Sequence, residues 1–354
     1  MKVAYIIPSL SSVGPVIMLK SLIKGLSALE VDVKVYYFDT TSNAVEMYCP
    51  IQQISFNKPI DFDKYDVIHS HCFRADLYVF RWQNHIKQAK IVSTLHQNTR
   101  EDFKYIYPSI FSYIFNQIWV ILHRKFDKII CISNQIKMYY TKYFHNNVLE
   151  TIYNGVDVNL DTGNTTIDSV IKTQIQELVQ KGYKIIGTYA KIVKRKGIDQ
   201  VISVLSTLQD YALVVIGDGP YKAELEKLAK EIGVYDRVLF LPHVEHPYRY
   251  LDNIDIYCMP SYSEGFGLAM VESALCGKAI VCSDLPSFHE IFPNGEAVFF
   301  EINNEQSLKH AIQRVYEKRD VLGSKCKSRC MEEFTYNIMS EKYLNIYKRL
   351  VDNI

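Results

Sequence analysis

The amino-acid sequence predicts an α/β protein made of two doubly wound, Rossmann-like domains that face a central cleft. Short apolar segments typical of strands alternate with helical segments along the chain, which is the pattern of parallel sheets. The strand segments are apolar almost throughout, as expected for sheets that helices cover on both faces. At 354 residues, the chain is also too long for one ordinary hydrophobic core.

The predicted strands form two groups of about five, separated by a polar, turn-rich segment at residues 154–168. The first group covers residues 2–8, 31–39, 65–71, 90–96 and 128–133, and the second covers 184–190, 211–219, 237–242, 254–260 and 278–284. We therefore expect one domain over residues 1–160 and a second over 161–335. An amphipathic helix within 336–354 is expected to pack back on the first domain.

Composition excludes several classes of protein. Hydrophobic residues make up 48% and charged residues 22%, as in soluble globular proteins. The net charge of +1 and the lack of a long basic run argue against a nucleic-acid partner. The eight cysteines are scattered, which predicts reduced thiols in a cytoplasmic protein rather than a metal or redox site. The first residues resemble a strand and not a signal peptide.

One aromatic-rich segment, residues 105–122, is nearly as apolar as a membrane segment but contains Pro108, Asn116 and Gln117. Two interpretations remain open. The segment is either a packed helix or an interfacial helix whose aromatic side chains contact lipid, with the basic residues 123–125 at its end. The second interpretation predicts contact with a membrane surface through residues 105–125.

The segment SYSEGFGLAMVESALCG, residues 261–277, predicts a phosphate site. A loop at the carboxyl end of a strand leads into a helix, and Gly265 and Gly267 allow close approach of the backbone to a ligand. Free N–H groups at the helix start favour an anion. Glu272 would reach back to accept hydrogen bonds from a ribose, and Glu264 would face whatever the phosphate carries. A surface Glu264 and a salt-bridged Glu272 remain the alternative.

Two further loops follow predicted strands. Gly14 stands before a helix, and Lys191 and Lys196 stand where a diphosphate would need neutralising charge. Lys194 and Arg195, between them, are interpreted as a solvated turn.

Other chemistries find less support in the sequence. A dinucleotide fingerprint is absent, and Asp61–Asp63 precedes a strand, so we interpret that segment as a turn and not a metal motif. We expect His69 and His71 to face opposite sides of one strand, which would exclude joint metal ligation. A glycoside hydrolase with paired carboxylates would leave the neighbouring cations without a role.

Several segments in order resemble the family-four retaining glycosyltransferases of GT-B architecture. The central match is the E-x7-E motif in EGFGLAMVE, and the others are SVGP, YNGVD, KIVKRKGID, VVIGDGPYKAELEKLA and CSDLPSFHEI. The resemblance covers residues 1 to 350. It departs from the family at Ala190-Lys191, where Gly-Arg is usual. Lysine keeps the positive charge but lacks the bidentate hydrogen-bonding geometry of the arginine guanidinium. The first loop also has one clear glycine where many members have two.

The resemblance implies transfer of a sugar, with retention, from a nucleotide donor, without a metal or a resident cofactor. The first domain would bind the acceptor and the second the donor. The catalytic residues would be Glu264, His96 and Lys196, and the donor-binding residues would be Gly14, Lys191, Lys196, Gly265, Phe266, Gly267, Leu268 and Glu272. His96 would face the donor sugar, and no residue is assigned as a general base.

The expected partners are a UDP-sugar and a saccharide or lipid-linked saccharide acceptor, in the synthesis of a bacterial surface polysaccharide such as lipopolysaccharide, O-antigen or capsule. The protein would be cytoplasmic or peripheral at the inner face of the cytoplasmic membrane. A sugar-nucleotide epimerase, a glycan phosphorylase and a non-catalytic sugar-nucleotide-binding subunit remain alternatives.

Overall fold

The computed structural model describes residues 1–42, 44–97, 109–158 and 169–352, which form two compact α/β units. The first unit comprises Met1–Asp157 together with Glu333–Ile354, and the second comprises Val158–Glu332. The predicted boundary at 160/161 lies outside the described residues, as do positions 105–108 of the aromatic segment.

Strands and helices alternate over most of the described chain, although no helix separates β2 from β3. In chain order the strands are β1 (Lys2–Ser9), β2 (Asp32–Asp39), β3 (Ile51–Gln53), β4 (Val67–His71), β5 (Lys90–Leu95), β6 (Lys128–Cys131), β7 (Leu149–Thr151), β8 (Lys184–Tyr189), β9 (Tyr211–Ile216), β10 (Val238–Leu241), β11 (Ile256–Met259), β12 (Ala279–Ser283) and β13 (Val298–Phe300). The α-helices are α1 (Gly14–Ala28), α2 (Phe73–Trp82), α3 (Ser109–Leu122), α4 (Asn134–Tyr140), α5 (Ser169–Gln180), α6 (Ile198–Val204), α7 (Lys222–Glu231), α8 (Leu268–Leu275), α9 (Pro286–Ile291), α10 (Glu305–Glu317), α11 (Arg319–Glu333) and α12 (Tyr336–Val351).

The first unit contains a parallel sheet of order β3-β2-β1-β4-β5-β6-β7, and the second a parallel sheet of order β10-β9-β8-β11-β12-β13. The predicted α/β class and the parallel sheets are confirmed. The estimate of about five strands in each domain was too low, because β3, β7 and β13 have only three residues each. All three residues of β3 are exposed, so this edge strand has no apolar pattern to detect.

Each sheet has one place where the strand order reverses direction. In the first unit it lies between β1 and β4, and in the second it lies between β8 and β11. Ligands of open parallel sheets bind beyond the carboxyl ends of the strands at such points. The topology therefore directs attention to the loops that follow β8 and β11, and to those that follow β1 and β4.

Helix α12 packs within the first unit, against α1. The side chain of Thr335 caps α12 by accepting a hydrogen bond from the N–H of Ile338, and Ser340 donates to the carbonyl of Leu22 at 3.2 Å. A Cβ atom at Gly25 would lie 2.1 Å from Oγ of Ser340, so the close approach of the two helices requires glycine there.

Candidate active site

The loops after β8 and β11 are joined at the switch point of the second sheet. Tyr262 donates its N–H to the carbonyl of Arg195 at 2.8 Å, and the guanidinium of Arg195 donates to the carbonyl of Ser263. Gly197 ends the short helical turn Lys194–Lys196 with φ +64°, and a Cβ atom there would meet the carbonyl oxygen of Pro260 at 1.9 Å. The two loops thus form one rigid segment of the site.

Glu264 is clamped by cations in this segment. Its side chain is 10% exposed, Lys196 donates from Nζ to Oε1, and Nη1 of Arg195 lies 3.4 Å from Oε2. Burial alone would raise the pKa of Glu264, but Lys196 and Arg195 hold the pKa down to about 2, so the carboxylate is ionised. The interpretation of Arg195 as part of a solvated turn is therefore wrong, because its guanidinium is committed to Ser263 and Glu264. The alternative of a surface Glu264 is wrong as well.

This arrangement leaves net positive charge facing the end of the sheet. Lys196 and Arg195 carry two positive charges against the one negative charge of Glu264. A lysine ammonium has three N–H donors, so Lys196 keeps donors for a ligand after bonding Glu264. Lys191 is exposed, and no ion pair joins it to another part of the described chain.

Helix α8 begins at Leu268, four residues after Glu264. Gly267, at its N-cap, has φ +104° and supplies no capping side chain, so the first-turn N–H groups have no side-chain acceptor. A Cβ atom at Gly267 would lie 3.0 Å from the ring of Phe288, and Ser287 donates to the carbonyl of Glu264 at 3.0 Å. Helix α9 thus holds this loop from behind. Phe266 is buried beneath the loop, so its backbone and not its ring is the part available to a ligand.

Glu272 lies one turn further along α8, beside a tyrosine of β8. The hydroxyl of Tyr189 lies 3.1 Å from Oε2 of Glu272 and 2.8 Å from the carbonyl of Ala269, and it serves as the donor. Burial raises the pKa of Glu272 to about 7, and the hydrogen bond from Tyr189 opposes that shift only in part. No cation of the described chain forms an ion pair with Glu272, so the alternative of a salt-bridged Glu272 is not what the structure has.

Sequence reasoning missed Tyr189 and the glycines of the loop after β9. Tyr189 is the last residue of a continuously buried strand, where alternation gives no signal. A Cβ atom at Gly217 would lie 2.0 Å from the carbonyl oxygen of Ala190, and one at Gly219 would lie 2.2 Å from that of Ile192. The GDG run, quoted above only for its resemblance, therefore lets this loop lie directly against the segment that carries Lys191.

In the first unit, Gly14 opens α1 directly after β1. The N-cap residue Val13 provides no side-chain hydrogen bond, and Gly14 itself is exposed. The start of α1 therefore presents N–H groups without a side-chain acceptor, at the switch point of the first sheet.

His96 follows β5 in the same unit and contacts a second histidine. Its Nε2 lies 2.8 Å from Nδ1 of His71, and the ring of His71 stacks on that of His69 with centroids 4.6 Å apart. The expectation that His69 and His71 face opposite sides is wrong, because residues two apart on a strand share one face. Burial lowers the pKa of His96 to about 4, a shift that the distant Asp76 carboxylate opposes, so the ring is neutral at pH 7.

Metal chemistry has no evident ligand cluster in the described residues. No group of three or more His, Cys, Asp or Glu side chains there could hold a metal ion. The Asp61–Asp63 segment leads into a short helical turn, Phe62–Lys64, ahead of β4.

Helix α3 has one buried and one exposed face. Trp119 is buried and donates to Oδ2 of Asp76 at 2.6 Å, whereas the opposite face is apolar and open to solvent. The exposed residues are Ile110, Phe111, Tyr113, Ile114, Ile118 and Ile121. His123, grouped above with the basic end of the segment, is buried and contacts Ser93, so it is not a surface cation. Over the described ranges, no helix is long and apolar enough to cross a bilayer.

Comparison with known proteins covers both units. A family model described as glycosyl transferases group 1 matches residues 170–330, and one described as glycosyltransferase family 4 matches residues 14–160. An Escherichia coli protein named O-antigen biosynthesis glycosyltransferase WclY is 29% identical over 355 residues, which is 99% of each chain.

Two further similarities cover part or all of the chain. The N-acetylgalactosamine-N,N'-diacetylbacillosaminyl-diphospho-undecaprenol 4-alpha-N-acetylgalactosaminyltransferase of Campylobacter jejuni is 28% identical over 186 residues, 51% of this chain and 48% of the relative. The crystal structure of Anabaena HepE in complex with UDP and glucose has a TM-score of 0.81 at 20% identity and covers 98% of this chain and 99% of HepE. At that identity the likeness to HepE establishes the fold, which is the GT-B architecture.

Proposed function

Because this chain belongs to the family-four-like glycosyltransferases of GT-B architecture, we propose that it transfers a sugar from a UDP-sugar to a saccharide or lipid-linked saccharide with retention at the anomeric carbon. The name of its Escherichia coli relative, an O-antigen biosynthesis glycosyltransferase, supports a role in polysaccharide biosynthesis. The name of the Campylobacter relative specifies a diphospho-undecaprenol acceptor, and HepE binds UDP, which supports the proposed partners. The proposed product is a bacterial surface polysaccharide such as O-antigen, lipopolysaccharide or capsule.

One observation carries the proposal: ionised Glu264, Lys196 and Arg195 lie directly before the uncapped start of α8. A diphosphate at this helix start would accept hydrogen bonds from the backbone of Gly267 and Leu268 and interact with the excess positive charge. Glu272 lies one turn further along α8, where we expect a ribose to follow the diphosphate, and we expect Glu264 to face the sugar.

The proposed chemistry is stabilisation of a leaving group. As the glycosidic bond to the nucleotide breaks, negative charge develops on the diphosphate and positive character on the sugar. Lys191, Lys196 and the start of α8 stabilise the negative charge on the diphosphate, and the carboxylate of Glu264 stabilises the positive character of the sugar. The acceptor hydroxyl attacks on the face that the nucleotide leaves, and a departing phosphate oxygen takes the hydroxyl proton. These cations replace a metal ion, so activity is expected to persist in EDTA.

The decisive test compares two lysines of one helical turn. Lys196→Ala removes the cation that contacts Glu264, whereas Lys194→Ala removes an exposed cation of the same turn. We expect kcat/KM for transfer from a UDP-sugar to fall by about a hundredfold in Lys196→Ala, and by less than about twofold in Lys194→Ala. Equal activity of the two variants would refute the proposal that the diphosphate binds at this site.

The donor and the stereochemistry need separate measurements. A thermal-shift screen of nucleotide sugars identifies the donor, since a ligand that binds the native state raises its melting temperature. The anomeric configuration of the product, followed by proton NMR, then distinguishes retention from inversion. Epimerised donor without acceptor would instead identify an epimerase, phosphate-dependent glycan cleavage would identify a phosphorylase, and donor binding without turnover would identify a binding subunit.

We also propose that the exposed face of α3 contacts the membrane surface where a lipid-linked acceptor resides. Contiguous exposed apolar side chains on one helix, with Arg124 and Lys125 exposed beyond its end, suit an anionic bilayer. Flotation with anionic phospholipid vesicles is expected to carry the protein upward, and Ile114→Ser combined with Ile118→Ser is expected to abolish this. Val321→Ser, at an exposed apolar site of the second unit, is the control. Flotation that is absent in the native protein would refute the contact.

A further inference from the structure

The interaction that fixes His96 comes from a histidine that the proposed mechanism does not use. His71 is fully buried on β4, and its Nδ1 lies 2.8 Å from Nε2 of His96, the first residue after β5. Both rings are uncharged at pH 7: burial lowers the pKa of His71, and the neighbouring His69 and His96 lower it further, while burial lowers that of His96. One proton therefore lies between these two nitrogen atoms.

The remaining nitrogen of His71 decides which ring supplies that proton. Nε2 of His71 is buried and has no hydrogen-bond partner in the described residues. If His96 were the donor, His71 would carry its own proton on Nε2 and bury an N–H group without an acceptor. Orphaned buried N–H groups are rarer than orphaned acceptors. The favoured arrangement has the proton on Nδ1 of His71, which donates to a bare Nε2 of His96.

His71 packs against His69, which is itself held by a network of hydrogen bonds. Its ring stacks on His69 at an interplanar angle of 18°, and His69 is fixed by the hydroxyls of Tyr347 at 2.5 Å and Thr94 at 2.8 Å. Tyr347 is in turn 2.7 Å from the hydroxyl of Tyr5. These contacts come from α12, β1, β4 and β5, so the orientation of His71 is set by several elements of the core.

We propose that His71 is a positioning residue that holds His96 as the neutral Nδ1–H tautomer, so that His96 presents a hydrogen-bond donor, and not a base, to the donor sugar. In the described residues Nδ1 of His96 has no other hydrogen-bond partner, so this N–H is available to an oxygen of the sugar. The role of His96 toward the sugar rests on the proposed function, whereas its tautomer does not.

The first measurement is independent of activity. Nitrogen-15 NMR of histidine-labelled protein distinguishes a protonated from a bare ring nitrogen, and the His96→Gln variant assigns the signals of His96. We expect the native protein to show a protonated Nδ1 and a bare Nε2 on His96. A protonated Nε2 on His96 would overturn the proposal, even if every other variant failed to fold.

The second measurement separates positioning from packing. His71→Leu fills the space but cannot donate, whereas the side-chain amide of His71→Asn places an N–H where Nδ1 stands. We expect His71→Leu to mix the tautomers of His96 and to lower kcat/KM by about tenfold, the value of one hydrogen bond, and we expect His71→Asn to restore both. Unchanged tautomers and kcat/KM in His71→Leu would overturn the positioning role. If native protein transfers no sugar, the proposed function fails and the spectrum alone decides the tautomer.

Discussion

The binding of the sugar nucleotide is expected to weaken as the pH falls from 8 to 6, because only the ionised carboxylate of Glu272 offers two full acceptor oxygens to the two hydroxyls of a ribose. Burial raises the pKa of Glu272 to about 7. The side chain is therefore about 91% ionised at pH 8 and about 9% at pH 6, which predicts an approximately tenfold loss of affinity. Glu264, with a pKa of about 2, and His96, with a pKa of about 4, do not change their protonation state between pH 6 and 8.

Isothermal titration calorimetry with a UDP-sugar measures this dependence, and Glu272→Gln is the matched control. UDP itself is unsuitable, because a terminal phosphate titrates near pH 6. The variant should bind more weakly at pH 8 and should lose the part of the pH dependence that Glu272 contributes. If the ratio of the two dissociation constants stays constant from pH 6 to 8, Glu272 does not contact the ligand as a carboxylate, and the placement of the ribose is wrong.

The same carboxyl group links activity to stability. A carboxyl whose pKa is raised in the folded state binds its proton more tightly there than in the unfolded chain. Its contribution to stability is complete below 4.5, the ordinary pKa of a glutamate, and is lost as the pH rises through about 7. Glu272→Gln should therefore melt at a higher temperature than the native protein at pH 8, and this advantage should vanish near pH 4.5. Equal melting curves at pH 8 would contradict the buried, weakly compensated position of Glu272.

Substitutions at three places test the packing that supports the two units. Gly267→Ala combines φ +104° with a 3.0 Å contact to Phe288, so the free energy of unfolding should fall by about 1–3 kcal/mol in urea titrations, with weaker donor binding. Gly25→Ala should cost about 1–3 kcal/mol through overlap with Ser340, and Ser340→Gly should cost less in that background than alone. Asp76→Asn turns a fully buried acceptor of three donors, the hydroxyls of Ser70 and Ser93 and the indole N–H of Trp119, into an amide and should cost about 3 kcal/mol; a loss smaller than about 1 kcal/mol would contradict that network.

The parts of the fold that depend on hydrophobic pattern were predictable. Long buried strands such as Tyr211–Ile216 are continuous apolar runs, and their alternation with helices fixes the α/β class. The short strand Ile51–Gln53 was not predictable, because it is exposed and is held by pairing with β2. Its strand structure depends on pairing with residues 16 positions earlier in the chain and not on its own sequence pattern.

The candidate site shows the same division. Glu264, Gly267 and Glu272 could be placed because a strand, a glycine loop and a helix follow one another in the sequence. The contact of Arg195 with Ser263 could not, because it joins loops 68 residues apart whose proximity depends on the sheet order. The stacking of His69 on His71 was predictable in principle from the two-residue period of a strand, and was misjudged.

The return of α12 to the first unit affects how the chain is made. Tyr343 and Tyr347 of α12 are buried in the core of the first unit, where Tyr347 hydrogen-bonds His69. Almost all other residues of that unit precede Val158. During translation the amino-terminal sheet therefore leaves the ribosome with part of its interior missing. Domains usually fold in order as synthesis proceeds at about 5–20 residues per second, so the gap lasts on the order of tens of seconds. The second unit can finish folding first, although it is translated later.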